Sequence, residues 1–259
     1  MLSKPISDAA SALTALGSQR VWSLLVTVFG DLAQNEGDVI DGPVLSVLMA
    51  DIGIKPEATR VALHRLRNDE WIVSTKRGRT SQHSLTARGR RESAAASPRI
   101  YNLPKQSPEN WQLVILESAA ARNRTSMERL GFAPLLPRVF LGAGSTKAPQ
   151  DAIVLRPDTV PPWLAAQFEP KDLLQDYAAL HQALLGIRQA LAGASSLTSR
   201  DTAVLRCLIV HSWRRLVLKH PDLPRDLYSE SWRGHECRVL VSDLLIKLPK
   251  PNLAQILLD

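Results

Sequence analysis

The chain reads as a multidomain α+β protein, and three features of its pattern carry that reading. Helical periodicity, two short β-rich runs and a basic turn follow one another before residue 100. A strand–helix–strand alternation continues to about residue 165, and helical periodicity dominates the remainder. At 259 residues the chain is long enough for two or three domains, each with its own core. It is 45% hydrophobic and 22% charged, the balance of an ordinary globular protein, which excludes disorder and collagen-like repeats.

Val21, Leu24, Leu25, Val28, Phe29 and Leu32 recur at three- and four-residue spacing after Ser18, a candidate N-cap, and predict a first amphipathic helix. Asn35, Gly37 and Asp38 end it. A second short helix starts at Asp41-Gly42-Pro43, carries Val44, Val47 and Leu48 as its apolar stripe, and closes at Asp51-Ile52-Gly53. The third starts at Lys55-Pro56-Glu57, where the missing proline N–H costs nothing and a carboxylate suits the helix dipole. On this helix Ala58, Val61, Ala62 and Leu66 are expected inward, with Thr59, Arg60, His64 and Arg67 on the opposite, basic face.

Trp71 to Thr75 and Gln82 to Thr86 are rich in strand-forming residues and flank the basic tip Lys76-Arg77-Gly78-Arg79-Thr80. Helix, tight glycine turn, helix, then two strands around a basic tip is the order of a winged helix-turn-helix. In that arrangement the second helix of the pair enters the major groove of DNA, and an arginine-bearing tip reaches the minor groove or the backbone. Lys55, Thr59, Arg60, His64 and Arg67 on the helix, with Arg77 and Arg79 on the tip, are therefore the candidate DNA-binding residues. Charge agrees. Between Lys55 and Arg99 eleven basic residues face four acids, an excess that equals the whole-chain net charge of +7 and points to a polyanion partner.

Thr86 to Pro98 predicts a linker helix with a basic first turn, and Tyr101 to Asn110, with Pro104 and Pro108, reads as a domain boundary. Beyond it come a strand at Gln112 to Leu116, a helix at Thr125 to Leu130, a strand at Leu135 to Leu141 with Pro137 inside it, and a short strand at Ala152 to Leu155. That order suggests a small ferredoxin-like α+β domain. From Pro161 the pattern is helical, with runs at Leu173 to Leu191 and Arg200 to Leu218 separated at Gly193 to Ser196. Pro221 and Pro224 force a turn before a last helix, His235 to Leu248. The expected domains are 1–100, 101–165 and 166–259, the last a helical domain for effector binding and dimerisation.

No Walker loop, dinucleotide glycine fingerprint, nucleophile elbow or His-Glu-x-x-His helix occurs, so neither an enzyme nor a resident metal or cofactor is expected. Cys207 and Cys237 are expected as reduced structural thiols. The longest apolar stretch, Val21 to Gly30, falls short of the roughly 20 residues a bilayer demands. With no secretory leader pattern at the N-terminus, a cytoplasmic location is expected.

Several stretches taken together resemble the phenylacetic acid degradation repressor (PaaX) family. They are Arg20 to Asp31 (RVWSLLVTVFGD), Arg60 to Leu66 (RVALHRL), Trp71, Arg77-Gly78-Arg79 and Leu85-Thr86, then Gly131-Phe132 and Pro137, His211 to Arg214 (HSWR), Pro221 to Pro224 (PDLP) and Trp232 to Gly234 (WRG). The chain departs from that pattern at Glu70, where the family has glycine, at Lys219-His220, and at Ser229 to Ser231. The resemblance implies a homodimeric repressor of aromatic-acid catabolic operons that binds double-stranded operator DNA and releases it when an aryl acyl-CoA, typically phenylacetyl-CoA, binds. Arg122 and Arg124 are then either partners of coenzyme A phosphates or part of an exposed basic loop, and Trp213 and Trp232 either line an aryl pocket or pack cores. The alternative from another class is an RNA-associated or nuclease-like protein using the ferredoxin-like region.

Overall fold

The computed structural model describes residues 4–17, 20–103, 110–193 and 196–258, and the side chains of all of these but 4–6, 9, 121 and 122. Ser18 and most of the expected boundary at 101–110 lie outside the described residues. The first elements are α1 Lys4–Ala15, α2 Val21–Leu32, β1 Ile40–Asp41, α3 Gly42–Asp51, α4 Pro56–Asn68, β2 Ile72–Arg77, β3 Thr80–Leu85 and α5 Ala87–Tyr101. They are followed by β4 Trp111–Ile115, α6 Ala121–Arg129, β5 Ala133–Leu136, β6 Val139–Ala143, β7 Ile153–Leu155, α7 Pro162–Phe168, α8 Lys171–Ala192, α9 Ser199–Val217 and α10 Gly234–Lys247. The fold is mixed α+β with two small antiparallel sheets.

Where three consecutive domains were expected, the chain forms two interleaved compact units. One comprises Met1–Asn102, Ala179–Arg215 and Val239–Asp259; the other comprises Leu103–Ala178 and Leu216–Arg238. The reason lies in α2 and α9. Asp31 pairs with Arg206 at 2.9 Å, Thr27 Oγ1 lies 3.0 Å from His211 Nδ1, and the Ser23 carbonyl accepts from Arg214 at 3.0 Å. As the α2 number falls by four at each rung the α9 number rises, so the helices run antiparallel with a polar rung at every turn. Around the rungs Leu24, Leu25, Val28 and Phe29 from α2 and Leu205, Cys207 and Ile209 from α9 are fully buried. Burial pushes the Cys207 thiol well above its usual value, and both cysteines are free and buried. Burial, together with Arg214 and Arg215, pushes His211 down to about 3, so it sits in this core as a neutral ring.

In the first unit the three-stranded sheet has the order β1-β3-β2, with Ile40 opposite His83 and Ile72 opposite Leu85. Neither α1 nor the two-residue β1 was expected from the sequence; Leu13 of α1 is fully buried. Thr86 caps α5 by accepting the Gly89 N–H at 3.0 Å while its hydroxyl donates to the Glu70 carbonyl at 2.5 Å. Gly89 is required there, since a Cβ would stand 2.3 Å from the Trp71 carbonyl oxygen. The α5 helix continues past Pro98 to Tyr101 and contributes the buried Ile100 to the core.

The end of α4 carries a testable departure from ideal chemistry. Trp71 N–H donates to Leu66 O at 2.8 Å and Glu70 N–H to Arg67 O at 3.0 Å, closing the helix around Glu70 at φ 55. A left-handed residue bearing a Cβ costs about 1–2 kcal/mol, and glycine there costs less even after its unfolded-state entropy. Glu70→Gly is expected to raise stability by about 1 kcal/mol, read as a higher denaturation midpoint; an unchanged midpoint would mean the Glu70 side chain offsets its own strain.

In the second unit the sheet order is β5-β6-β4-β7, antiparallel throughout. Its core joins Val114 of β4, Met127 of α6, and Phe132 and Phe140 of the β5–β6 arm. The single strand expected at Leu135 to Leu141 is a hairpin: Leu136 pairs with Val139 across a Pro137-Arg138 turn. Proline has no N–H for a ladder, so it ends one strand and turns the chain into the next. No helix occupies the described residues between β6 and β7. The helical part of this unit holds an aromatic cluster in which Tyr228 stacks on Trp232 at 4.3 Å and Tyr177 lies 4.7 Å from Trp232.

Candidate nucleic-acid interface

α4 begins with Lys55 in extended conformation, Pro56 at its first position and Glu57 in its first turn. Its inward stripe is Thr59, Ala62, Leu63 and Leu66, at i, i+3, i+4 and i+7. This corrects the expected faces by one residue's rotation, a little over a quarter of a turn. Thr59 is 6% exposed and its hydroxyl is directed at the Lys55 carbonyl at 3.4 Å, whereas Val61 is 71% exposed. A rotation of about 100° per residue is enough to exchange those two positions, and only the packing of the helix decides between the readings. Arg60, His64 and Arg67 are exposed as expected, as are Lys55, Arg77 and Arg79.

The tip between β2 and β3 is tighter than the sequence suggested. Arg77 pairs with Thr80, leaving a two-residue turn of Gly78 and Arg79, with Gly78 at the positive φ of 62 that such a turn demands. Arg67 links the helix to this hairpin: its guanidinium donates to Ser74 Oγ at 3.4 Å, and Ser74 Oγ lies 2.7 Å from His83 Nδ1. Burial, and the Arg67 charge beside it, push His83 below its usual value. On the adjacent strand Gln82 donates to Asp41 at 2.8 Å.

These elements enclose an open groove of about 780 Å³, walled by Gly42, Pro43 and Ser46 of α3, by the outward face of α4, and by Arg79, Ser81 and His83 of the hairpin. Arg60, His64, Arg67 and Arg79 all border it. Arg60 also meets Glu57 at 3.2 Å, an exposed pair worth little in stability that holds the guanidinium along the helix. Other basic residues of the segment serve the fold. Arg65 lies 4.9 Å over the Trp22 ring, Arg88 donates to the Asp69 carbonyl at 3.1 Å, and Arg90 donates to the Leu85 carbonyl at 3.0 Å. Sequence charge alone does not separate these from the groove residues; Trp22, which Arg65 covers, and Asp69, whose carbonyl Arg88 binds, lie 43 and 19 residues away from them.

The candidate ligand residues do not share a unit. Trp213 is 1% exposed in the first unit, with its ring N–H donating to the Ile100 carbonyl at 2.9 Å. Trp232, in the second, is 3% exposed within the aromatic cluster. Arg124 is exposed on α6 and pairs with Glu128 at 3.0 Å, and the Arg122 side chain lies outside the described residues. Among the described residues no group of three or more metal-ligating side chains occurs, and no helix is long and apolar enough to cross a membrane.

Comparison with known proteins places residues 20–89 in the family described as "PaaX-like protein" and residues 168–254 in "PaaX-like protein C-terminal domain". The chain is 25% identical over 274 aligned positions to the transcriptional repressor PaaX of Escherichia coli (strain K12), covering 96% of this chain and 85% of that one. Among solved structures it is similar to an uncharacterized protein from Mycobacterium tuberculosis, with a TM-score of 0.47 and 22% identity over 87% of this chain and 94% of that chain.

Proposed function

This chain belongs to the PaaX-like family of non-enzymatic transcriptional regulators, and from that premise we propose that it represses a catabolic operon of the phenylacetate type by binding operator DNA as a homodimer. The observation that carries the reading is the groove in which Arg60, His64 and Arg67 of α4 meet Arg79 of the hairpin. In this reading α3 and α4 form the helix-turn-helix, α4 lies in the major groove, and the β2–β3 hairpin is the wing that follows the backbone or adjacent minor groove. The sheet of the second unit, together with α6, is on this reading a ferredoxin-like arrangement that keeps one of its two helices, and the strand order β5-β6-β4-β7 supports it. Release by an aryl acyl-CoA such as phenylacetyl-CoA completes the proposal; Arg124, exposed on α6, is a candidate partner for its phosphates. Such a repressor acts in the cytoplasm, where its operator is. The RNA-binding alternative gains no support from β4, whose aromatic Trp111 is 4% exposed where a stacking platform needs an open ring.

The test is fluorescence anisotropy of the full chain on duplex from its own upstream region, across a salt series, with and without phenylacetyl-CoA. Sequence-specific, salt-sensitive binding abolished by the thioester is the expected result, and no preference for duplex would overturn the reading. Arg60→Ala is expected to weaken operator binding by about 1–3 kcal/mol and relax specificity, while Arg79→Ala weakens all duplexes alike and lowers the salt slope by about 1. Normal binding by both variants would overturn the assignment of α4 and the wing.

A further inference from the structure

We infer that Val61 is a specificity residue that reads the 5-methyl group of a thymine in the operator's major groove; the inference rests on the DNA-binding reading above. The outward strip of α4 presents Glu57, Arg60, Val61, His64, Arg67 and Asn68, and Val61 is its one apolar side chain. At 71% exposure it gives nothing to the core, and it lines the groove beside Arg60 and His64. Its neighbours are hydrogen-bonding groups. Laid against a base edge, the valine methyls meet either a donor or acceptor they cannot satisfy, at a desolvation cost, or the one apolar group of the major groove, the thymine methyl. One turn of helix advances ~5.4 Å and one base pair ~3.4 Å, so this thymine lies within one or two steps of the base pair under His64.

The experiment takes a duplex that the full-length protein protects in a footprint and replaces its thymines one at a time with deoxyuridine, which keeps every hydrogen-bonding group and loses only the methyl. Wild type is expected to bind about four-fold more weakly when the contacted thymine is replaced, the loss of one buried methyl. Val61→Ser is expected to bind the thymine and deoxyuridine duplexes equally, with the salt slope and melting temperature of wild type, because an exposed side chain contributes neither phosphate contacts nor core. If wild type binds its site specifically yet ignores every deoxyuridine, or if Val61→Ser keeps the discrimination, the inference is overturned and the repressor reading stands. If no duplex is bound with sequence preference, the repressor reading falls and takes the inference with it.

Discussion

Asp31→Ala is expected to cost about 3–5 kcal/mol of stability, one of the two largest single effects we predict in this protein. The side chains of Asp31 and Arg206 are 0% and 5% exposed, and two guanidinium nitrogens meet the two carboxylate oxygens at 2.9 and 3.0 Å. Tyr101 donates its hydroxyl to the same carboxylate at 3.0 Å; burial first, and then the Asp31 charge, push that phenol far above its usual value. The remaining guanidinium nitrogen of Arg206 donates to the carbonyls of Leu245 and Leu248 at the end of α10. The pair thus ties α2, α5, α9 and α10 in one place. Removing the carboxylate alone leaves a guanidinium buried without its counter-charge, which is dearer than removing both. The double variant Asp31→Leu with Arg206→Leu is therefore expected to cost clearly less than Asp31→Ala. Urea denaturation of the three proteins checks this, and a loss below ~1 kcal/mol for Asp31→Ala would mean that water reaches the site.

Trp213→Ala is expected to cost about 3–5 kcal/mol, the cavity and transfer loss of a large core aromatic. Trp213 is among the largest fully buried side chains, and its ring N–H satisfies the Ile100 carbonyl near the end of α5. Trp213→Phe keeps most of the volume and leaves that carbonyl without its donor, at a cost of about 1–3 kcal/mol. Thermal melts of the two variants distinguish packing from ligand contact. A Trp213→Ala protein that melts with wild type but fails to respond to an aryl acyl-CoA would return Trp213 to a ligand-facing role.

The DNA-binding half of the chain was the more legible part because its signals are local. Pro56 and Glu57 open α4, Gly78 makes the tight turn, and Thr86 caps α5 within three residues. The helices beyond residue 161 were found for the same reason, by apolar spacing. What went unseen depended on partners. β1 is two residues long and exists because β3 lies beside it; α1 was legible after all, since Ile6, Ala9, Ala10 and Leu13 recur at helical spacing, but they precede the run at Val21 from which the first helix was expected. Pro137 weakened the expected strand without saying that it would become a hairpin turn.

Local chemistry in the sequence therefore determined most of the helices, the two strands of the wing and the basic tip between them, and that one segment carries the net positive charge. Tertiary packing decided the rest: that Thr59 and not Val61 faces inward, that Arg65 is spent on Trp22 while Arg60 borders the groove, and that 179–215 joins the N-terminal unit. Helical propensity and capping act over a few residues, whereas the side of a helix that is buried, and the partner of a buried charge 175 residues away, are set by which surfaces meet.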